Sequence, residues 1–205
     1  ENCRGSSSGM LIPQTGQDCL SSFCNSSKNR TEVVTNAGMV EARLVSAVSL
    51  PMWFPPVIIN GDKYIDAVYV TDANVEEAIR RGADEIWAIW TVSTRDEWRP
   101  GFVSQYFHII ETAADTNFFA IWGRIEKSNQ EIAAGRQGEF GRPITLRLLQ
   151  AEVPVHYLFN IERNRMTEAV NQGVAMARDF CRNLGLPLQT PPAGPTTPAA
   201  ATCSV

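Results

Sequence analysis

GDKYIDAVYVTDANVEEAIRRGADEIWAIWTV, residues 61–92, is the most readable stretch of the chain. It opens on Asn60-Gly61, a dipeptide between two short apolar runs, VII and DKYI, that tolerates positive φ at both central turn positions. A tight β-hairpin is therefore expected. Val75, Ala78 and Ile79 follow at i, i+3 and i+4, with Asp72 or Asn74 available as N-cap and Gly82 as a C-terminal stop. That spacing predicts a short helix. EIWAIWTV is an almost continuous apolar run, the mark of a strand buried on both faces of a parallel sheet. Strand, helix and strand together predict a βαβ unit. Asp66 and Asp72 stand out in it as isolated carboxylates beside a strand. Asp72 reads most simply as the helix cap. Asp66, at the end of the hairpin strand, sits where open α/β sheets collect functional residues, and a turn-forming carboxylate is the competing reading.

Outward from this stretch, the chain has 205 residues, 44% hydrophobic and 20% charged, enough for one globular domain with a sizeable core. A formal charge of −4 and scattered Lys and Arg give no general attraction to phosphate backbones, which argues against nucleic-acid binding. No apolar run reaches the roughly 18 to 20 residues of a membrane-spanning helix, so the expected location is cytoplasmic or peripheral at a membrane surface. Five cysteines, irregularly spaced, and two histidines argue against a zinc site and against a disulfide framework. No cofactor is expected. NSS at Asn25 and NRT at Asn29 match the glycosylation pattern, but both asparagines read as surface loop residues.

Residues 1–18 are expected to be irregular, residues 19–186 to form an α/β domain, and residues 187–205 to form a proline-rich tail. CLSSFCN and RTEVVTN read as a strand pair around the loop SSKN. MVEARLVSAVSL carries a short helical pattern that Pro51 stops. From Phe102 to about Ala134 the pattern is helical, with a break expected near Asp115 to Asn117 and Glu126, Lys127 and Glu131 facing solvent. ITLRLLQAEV and VHYLFNI predict further strands. The last helix should bury a stripe of Met166, Ala169, Val170, Gly173, Val174, Ala177 and Cys181 and close at Gly185. The fold class is α/β, a mostly parallel sheet with helices on both faces.

Few residues could carry chemistry. GSSSG, residues 5–9, matches the G-x-S-x-G nucleophile elbow with Ser7 at its centre. The elbow needs an apolar strand before the serine and a helix after it, and ENCR and the nearby Pro13 and Gly16 supply neither, so a flexible Ser/Gly segment competes with it. His108, in YFHII, and His156, in PVHYLF, read as core or interface histidines. GRQGEFGR, residues 135–142, lacks phosphate-loop spacing and reads as a mobile surface loop that could border the mouth of a site.

Residues 44–92 resemble the C-terminal half of the patatin-like phospholipase family. The resemblance rests on SLPMWFPPV, YIDAV and RRGADEIWAI in that order, matching a P-x-x-F-P-P-V turn, a Y-[IV]-D-G-[GA] hairpin end and a helix that ends in G-A-D-x-I. It implies a three-layer α/β fold and a serine acyl hydrolase that cleaves fatty-acyl esters of lipids through a Ser-Asp dyad without histidine. Asp66 would be the dyad aspartate and general base, and Ser7 the candidate nucleophile. The sequence departs from the family in three ways. The motif is Asp66-Ala67-Val68 and lacks the glycine; no glycine-rich oxyanion loop precedes Gly5; and Ser7 lies much closer to Asp66 than the family's serine does. The chain is therefore expected to be the C-terminal half of a longer protein, incomplete on the N-terminal side of its sheet, with Ser7 either the nucleophile or a chance match. An uncovered sheet edge would draw a second copy or the N-terminal half. The competing expectations are a non-catalytic lipid-binding or assembly module, an inactive fragment lacking the oxyanion loop, and an unrelated α/β binding domain.

Overall fold

A computed structural model describes residues 20–71, 73–92, 100–151 and 162–188. The chain is mixed α/β and divides into two compact units, one of residues 1–84 and 95–144, the other of residues 85–94 and 145–205.

In the first unit, strand β1 (Leu20–Asn25) pairs antiparallel with β2 (Arg30–Thr35), as the strand-pair pattern predicts. Helix α1 (Glu41–Ala47) ends before Pro51 and packs on β1 and on the hairpin β3 (Val57–Ile59) and β4 (Asp62–Ile65). The hairpin turns at Asn60 and Gly61, with φ of 52° and 86°, the left-handed pair that closes a two-residue turn without splaying the strands. The four strands form one antiparallel sheet in the order β2-β1-β4-β3. Phe23, Val34 and Tyr64 make the buried core of this sheet, Phe23 and Tyr64 edge to face at 5.5 Å, and Ile59 packs against them.

Helix α2 (Val75–Arg80) buries Val75 and Ile79, and Gly82 leaves it at a φ of 101°. Its cap is Asn74, whose Oδ1 accepts from the Glu77 N–H at 3.3 Å. Asp72 lies outside the described residues, and the cap that the sequence assigns to it is supplied by Asn74, which sits directly before the first helical residue. Asn74→Ala should cost about 1 kcal/mol, read as a lower urea midpoint at unchanged m-value. Arg142 closes the other end by donating to the carbonyls of Ile79 and Ala83 at 2.7 and 3.0 Å.

Helix α3 (Phe102–Ala133) runs unbroken for 32 residues. The expected break at Asp115 to Asn117 does not occur. Phe107, Ile110, Ala114, Phe118, Ile121, Trp122 and Ile125 form one continuous buried stripe. The helix penalty of Asp, Thr and Asn, about 0.5 kcal/mol each, is small beside the 2 to 3 kcal/mol of burying Phe118 alone. Glu126 and Lys127 face solvent as predicted, whereas Glu131 is half-buried.

In the second unit, β5 (Glu85–Trp90) and β6 (Thr145–Gln150) pair in parallel from Glu85 opposite Thr145 to Trp90 opposite Gln150. The expected βαβ unit between β4 and β5 is not formed. β1 and β3 occupy the two edges of β4, and a strand has only two edges to pair. β5 is also not buried on both faces: Ile86 and Trp90 are buried while Trp87 and Ile89 alternate outward. Composition showed an apolar run, but only the pleat assigns its members to faces. Helix α4 (Arg163–Asn183) meets this sheet through Phe180, edge to face with Trp87 at 6.2 Å. Gly185 ends the helix at a φ of 68°. Of its predicted stripe only Ala169 is buried; Gly173, Ala177 and Cys181 are half-buried, and Met166, Val170 and Val174 are exposed. The strand predicted from VHYLFNI, the N-terminal segment 1–18 and most of the proline-rich tail lie outside the described residues.

Among the described residues, no helix is long and apolar enough to cross a membrane.

Candidate functional site

Asp66 is the first residue beyond β4, and backbone hydrogen bonds fix it on both sides. Its N–H donates to the Ser49 carbonyl at 3.0 Å, which ties the strand end to the segment after α1. Its Oδ1 accepts from the Val68 N–H at 2.9 Å, and the Ala67 carbonyl accepts from Val70 and Thr71 at 2.8 Å each. The chain therefore folds into a compact turn immediately after the carboxylate. Asp66 is half-buried. Burial pushes its carboxyl above the ordinary aspartate range, while the Val68 and Ala67 N–H groups pull the other way. A carboxylate held in place and made more basic is suited to accepting a proton.

Ala67, at the position after Asp66, sits without backbone strain. It is buried, and it is not among the described residues with positive φ, which apart from glycines are Asn29, Met52 and Asn60. This backbone position does not require glycine.

The serines nearest in sequence to this turn are engaged elsewhere. Ser46 and Ser49 are buried and donate to the carbonyls of Arg43 and Val45, each at 2.7 Å, as helix serines commonly do. Ser7 and the whole of GSSSG lie outside the described residues, as does His156. His108 is half-buried on α3, where a shallow cavity of about 430 Å³ runs past Ile109, Thr112 and Thr116. Burial raises the carboxyl of Glu111, one turn on; His108 acts to lower it and Asp115 to raise it.

The loop read as mobile is pinned. A Cβ on Gly138 would lie 2.5 Å from the Ser128 carbonyl oxygen and 2.6 Å from its Oγ, so only glycine fits. The Phe140 N–H donates to Ser128 Oγ at 3.1 Å, and the Asn129 side chain bonds both the N–H and the carbonyl of Ile144. The loop borders a polar cavity of about 360 Å³ with Arg124, Lys127 and Glu131. Arg124 pairs there with Glu139 and, at 3.0 Å, with Glu76. Asp66 lines neither of these two cavities.

Two arrangements escape sequence reading. The first corrects the view of Asn25 as a loop residue. It ends β1, fully buried, with Nδ2 within reach of Glu32 at 3.0 Å, Tyr64 at 3.1 Å and Asp62 at 3.2 Å, while Oδ1 accepts from the Lys28 N–H. Burial acts to raise the Glu32 carboxyl, but hydrogen bonds from Arg30, Asn25 and Tyr64 outweigh it and hold it low. Asn25 cannot accept a glycan in this fold, whereas Asn29, in the exposed turn, remains open. Asn25→Ala should cost about 1 to 3 kcal/mol in chemical unfolding by orphaning buried partners, and Asn29→Ala close to nothing. The signal lay on three strands, of which β4 is far from the other two in sequence, and register alone unites them. The second arrangement is a relay in which the hydroxyls of Tyr69 and Tyr106 meet and Tyr106 bonds the Pro51 carbonyl.

Cys24 is buried and reduced, with its thiol raised by burial, and Cys181 is also a free thiol. Among the described residues, no three His, Cys, Asp or Glu side chains gather as a metal site would require. Compared with models of known protein families and with curated proteins, the chain matches none.

Proposed function

We propose that this chain carries the aspartate of a patatin-like Ser-Asp acyl hydrolase acting on fatty-acyl esters of lipids, with Asp66 as general base. The observation that carries the reading is the state of Asp66: half-buried, more basic than usual, and held by backbone on both sides at the end of a hairpin strand. The ordered motifs of residues 44–92 point the same way. On this reading the chain belongs to a three-layer α/β fold in which β5 and β6 are strands of a larger, mostly parallel sheet with helices on both faces. The N-terminal half of such a protein, or a second copy, would cover its open edge.

The chemistry needs no cofactor. The serine hydroxyl, from Ser7 or from a serine of the N-terminal half, attacks the ester carbonyl carbon as Asp66 takes its proton. The same proton passes to the departing alcohol oxygen as the C–O bond breaks. Water then attacks the acyl-enzyme, Asp66 accepts a proton from it and returns one to the serine, and the fatty acid leaves.

A fluorophosphonate probe tests this on the full-length natural protein. One serine should be labelled, and Asp66→Asn should remove the labelling. If lipid binding persists and no serine reacts, the protein is a non-catalytic lipid-binding or assembly module instead.

A further inference from the structure

The segments around Asp66 share a property that catalysis does not need. Residues 45–61, 67–71 and 100–107 contain no Asp, Glu, Lys or Arg, although one residue in five of the chain is charged. The Tyr69–Tyr106–Pro51 relay clasps these three segments together, and Trp53 lies against Phe107 with ring centroids 5.6 Å apart. Around that clasp the apolar side chains point outward. Met52 is 64% exposed, Phe54 55% and Phe102 68%, and Trp53, Val70 and Val103 are also exposed. Phe102 and Val103 stand one helical turn before Tyr106, on the side of α3 that meets the clasp. Met52 has a φ of 74°, a strained conformation for a methionine, held between Pro51 and the Trp53 contact.

We infer that Met52, Trp53, Phe54, Val70, Phe102 and Val103 form a docking surface that inserts into the interfacial layer of a lipid bilayer beside the Asp66 turn. Composition argues for lipid over protein. Trp, Phe and Met without any charge are the residues that settle at the boundary of headgroups and acyl chains. Six side chains about half exposed offer on the order of 600 Å², short of the roughly 800 Å² per partner of a stable protein interface, while a bilayer accepts an apolar tip of any outline. Location supports it too. The Ser49 carbonyl that pins Asp66 lies two residues before Pro51, so docking this surface would bring the carboxylate close to ester bonds at the membrane boundary. The inference rests on the acyl-hydrolase reading for its purpose, but not for its test.

Flotation of the full-length protein with phosphatidylcholine vesicles is the experiment. Binding is expected to be insensitive to salt up to about 0.5 M, since no charge drives it. Brominated acyl chains should quench tryptophan emission, and Trp53→Phe should remove most of that quenching. Met52→Ser combined with Phe54→Ser should weaken vesicle partition at least tenfold. Phe102→Ser, at a side chain whose loss leaves the clasp intact, should weaken it about threefold. Hydrolysis of a short soluble ester should stay within twofold of the parent in both variants. Asp66→Asn should lower hydrolysis about 10³-fold and leave flotation unchanged, so a failed enzyme reading and a failed docking surface give different results. Vesicle binding equal to the parent in both patch variants overturns the inference. So does self-association that Phe102→Ser dissolves, which would assign the patch to a second copy, or Trp53 unquenched in the full-length protein, which would assign it to contact with another part of the chain.

Discussion

Asp66→Asn is expected to lower acyl-ester hydrolysis about 10³-fold, equivalent to about 4 kcal/mol of activation free energy, with KM little changed. Asparagine keeps the oxygen that accepts from the Val68 N–H, so the turn survives and only proton acceptance is lost. The pH profile of the parent should carry the same signature. kcat/KM should rise with pH as Asp66 ionises, at a pH above the ordinary aspartate value because burial raises its carboxyl.

Stability should move the opposite way, and the sign follows from linkage. A carboxyl whose folded pKa exceeds its unfolded pKa binds more protons when folded, so stability falls as pH rises from the ordinary aspartate value through the raised one. Above that window the buried charge is a standing cost. Asp66→Asn should therefore be more stable than the parent at pH 7, and the difference should shrink as the pH is lowered through the window. Stability at pH 7 that falls together with activity would identify Asp66 as a turn-former only. Inactivation with a gain in stability is what a functional carboxylate held at a structural cost produces.

Phe23→Ala should be the most destabilising of the substitutions considered, at about 3 to 5 kcal/mol. Phe23 is completely buried at the centre of the antiparallel sheet, edge to face with Tyr64 and beneath the Arg43 guanidinium 5.7 Å from its ring. Truncation removes the transfer free energy of the ring and leaves a cavity that Val34 and Ile59 can only partly fill. Domain stability is typically about 5 to 15 kcal/mol, so the variant should unfold at a much lower urea concentration. Ile58→Ala is the control, on the outward face of β3 in the same sheet, and should shift the midpoint by well under 1 kcal/mol. Equal losses at both positions would mean that the sheet is not built around Phe23.

Elements with local causes were legible in advance. Asn60-Gly61 is read correctly because the turn needs positive φ twice in succession and few residue pairs allow it. Gly82 and Gly185 end their helices for a related reason. Asp66 could be singled out because an isolated carboxylate at a strand end is unusual in itself. The sequence assigns the cap of α2 to Asp72 and the structure gives it to Asn74, since either residue can cap a helix and the choice depends on where the first turn starts. The break expected in α3 failed because local propensity is weak, and the stripe from Phe107 to Ile125 outweighs it. The exposed Met166, Val170 and Val174 of α4 failed for a complementary reason: a stripe records helical period, not what the helix meets.

By itself, then, the sequence determined the strands, helices and turns of residues 20–90, the position of Asp66 at a strand end, and the uncharged character of the segments around it. The tertiary structure decided which strands share a sheet, since pairing depends on edges that distant segments occupy: β4 is taken by β1 and β3, and β5 pairs with β6. It also decided the state of the polar groups. Asn25 became a buried hub by donating to Glu32, Asp62 and Tyr64 on two neighbouring strands, and Asp66 became a more basic carboxylate through desolvation, against the pull of the adjacent Val68 and Ala67 N–H groups; burial of this kind arises only when the chain folds.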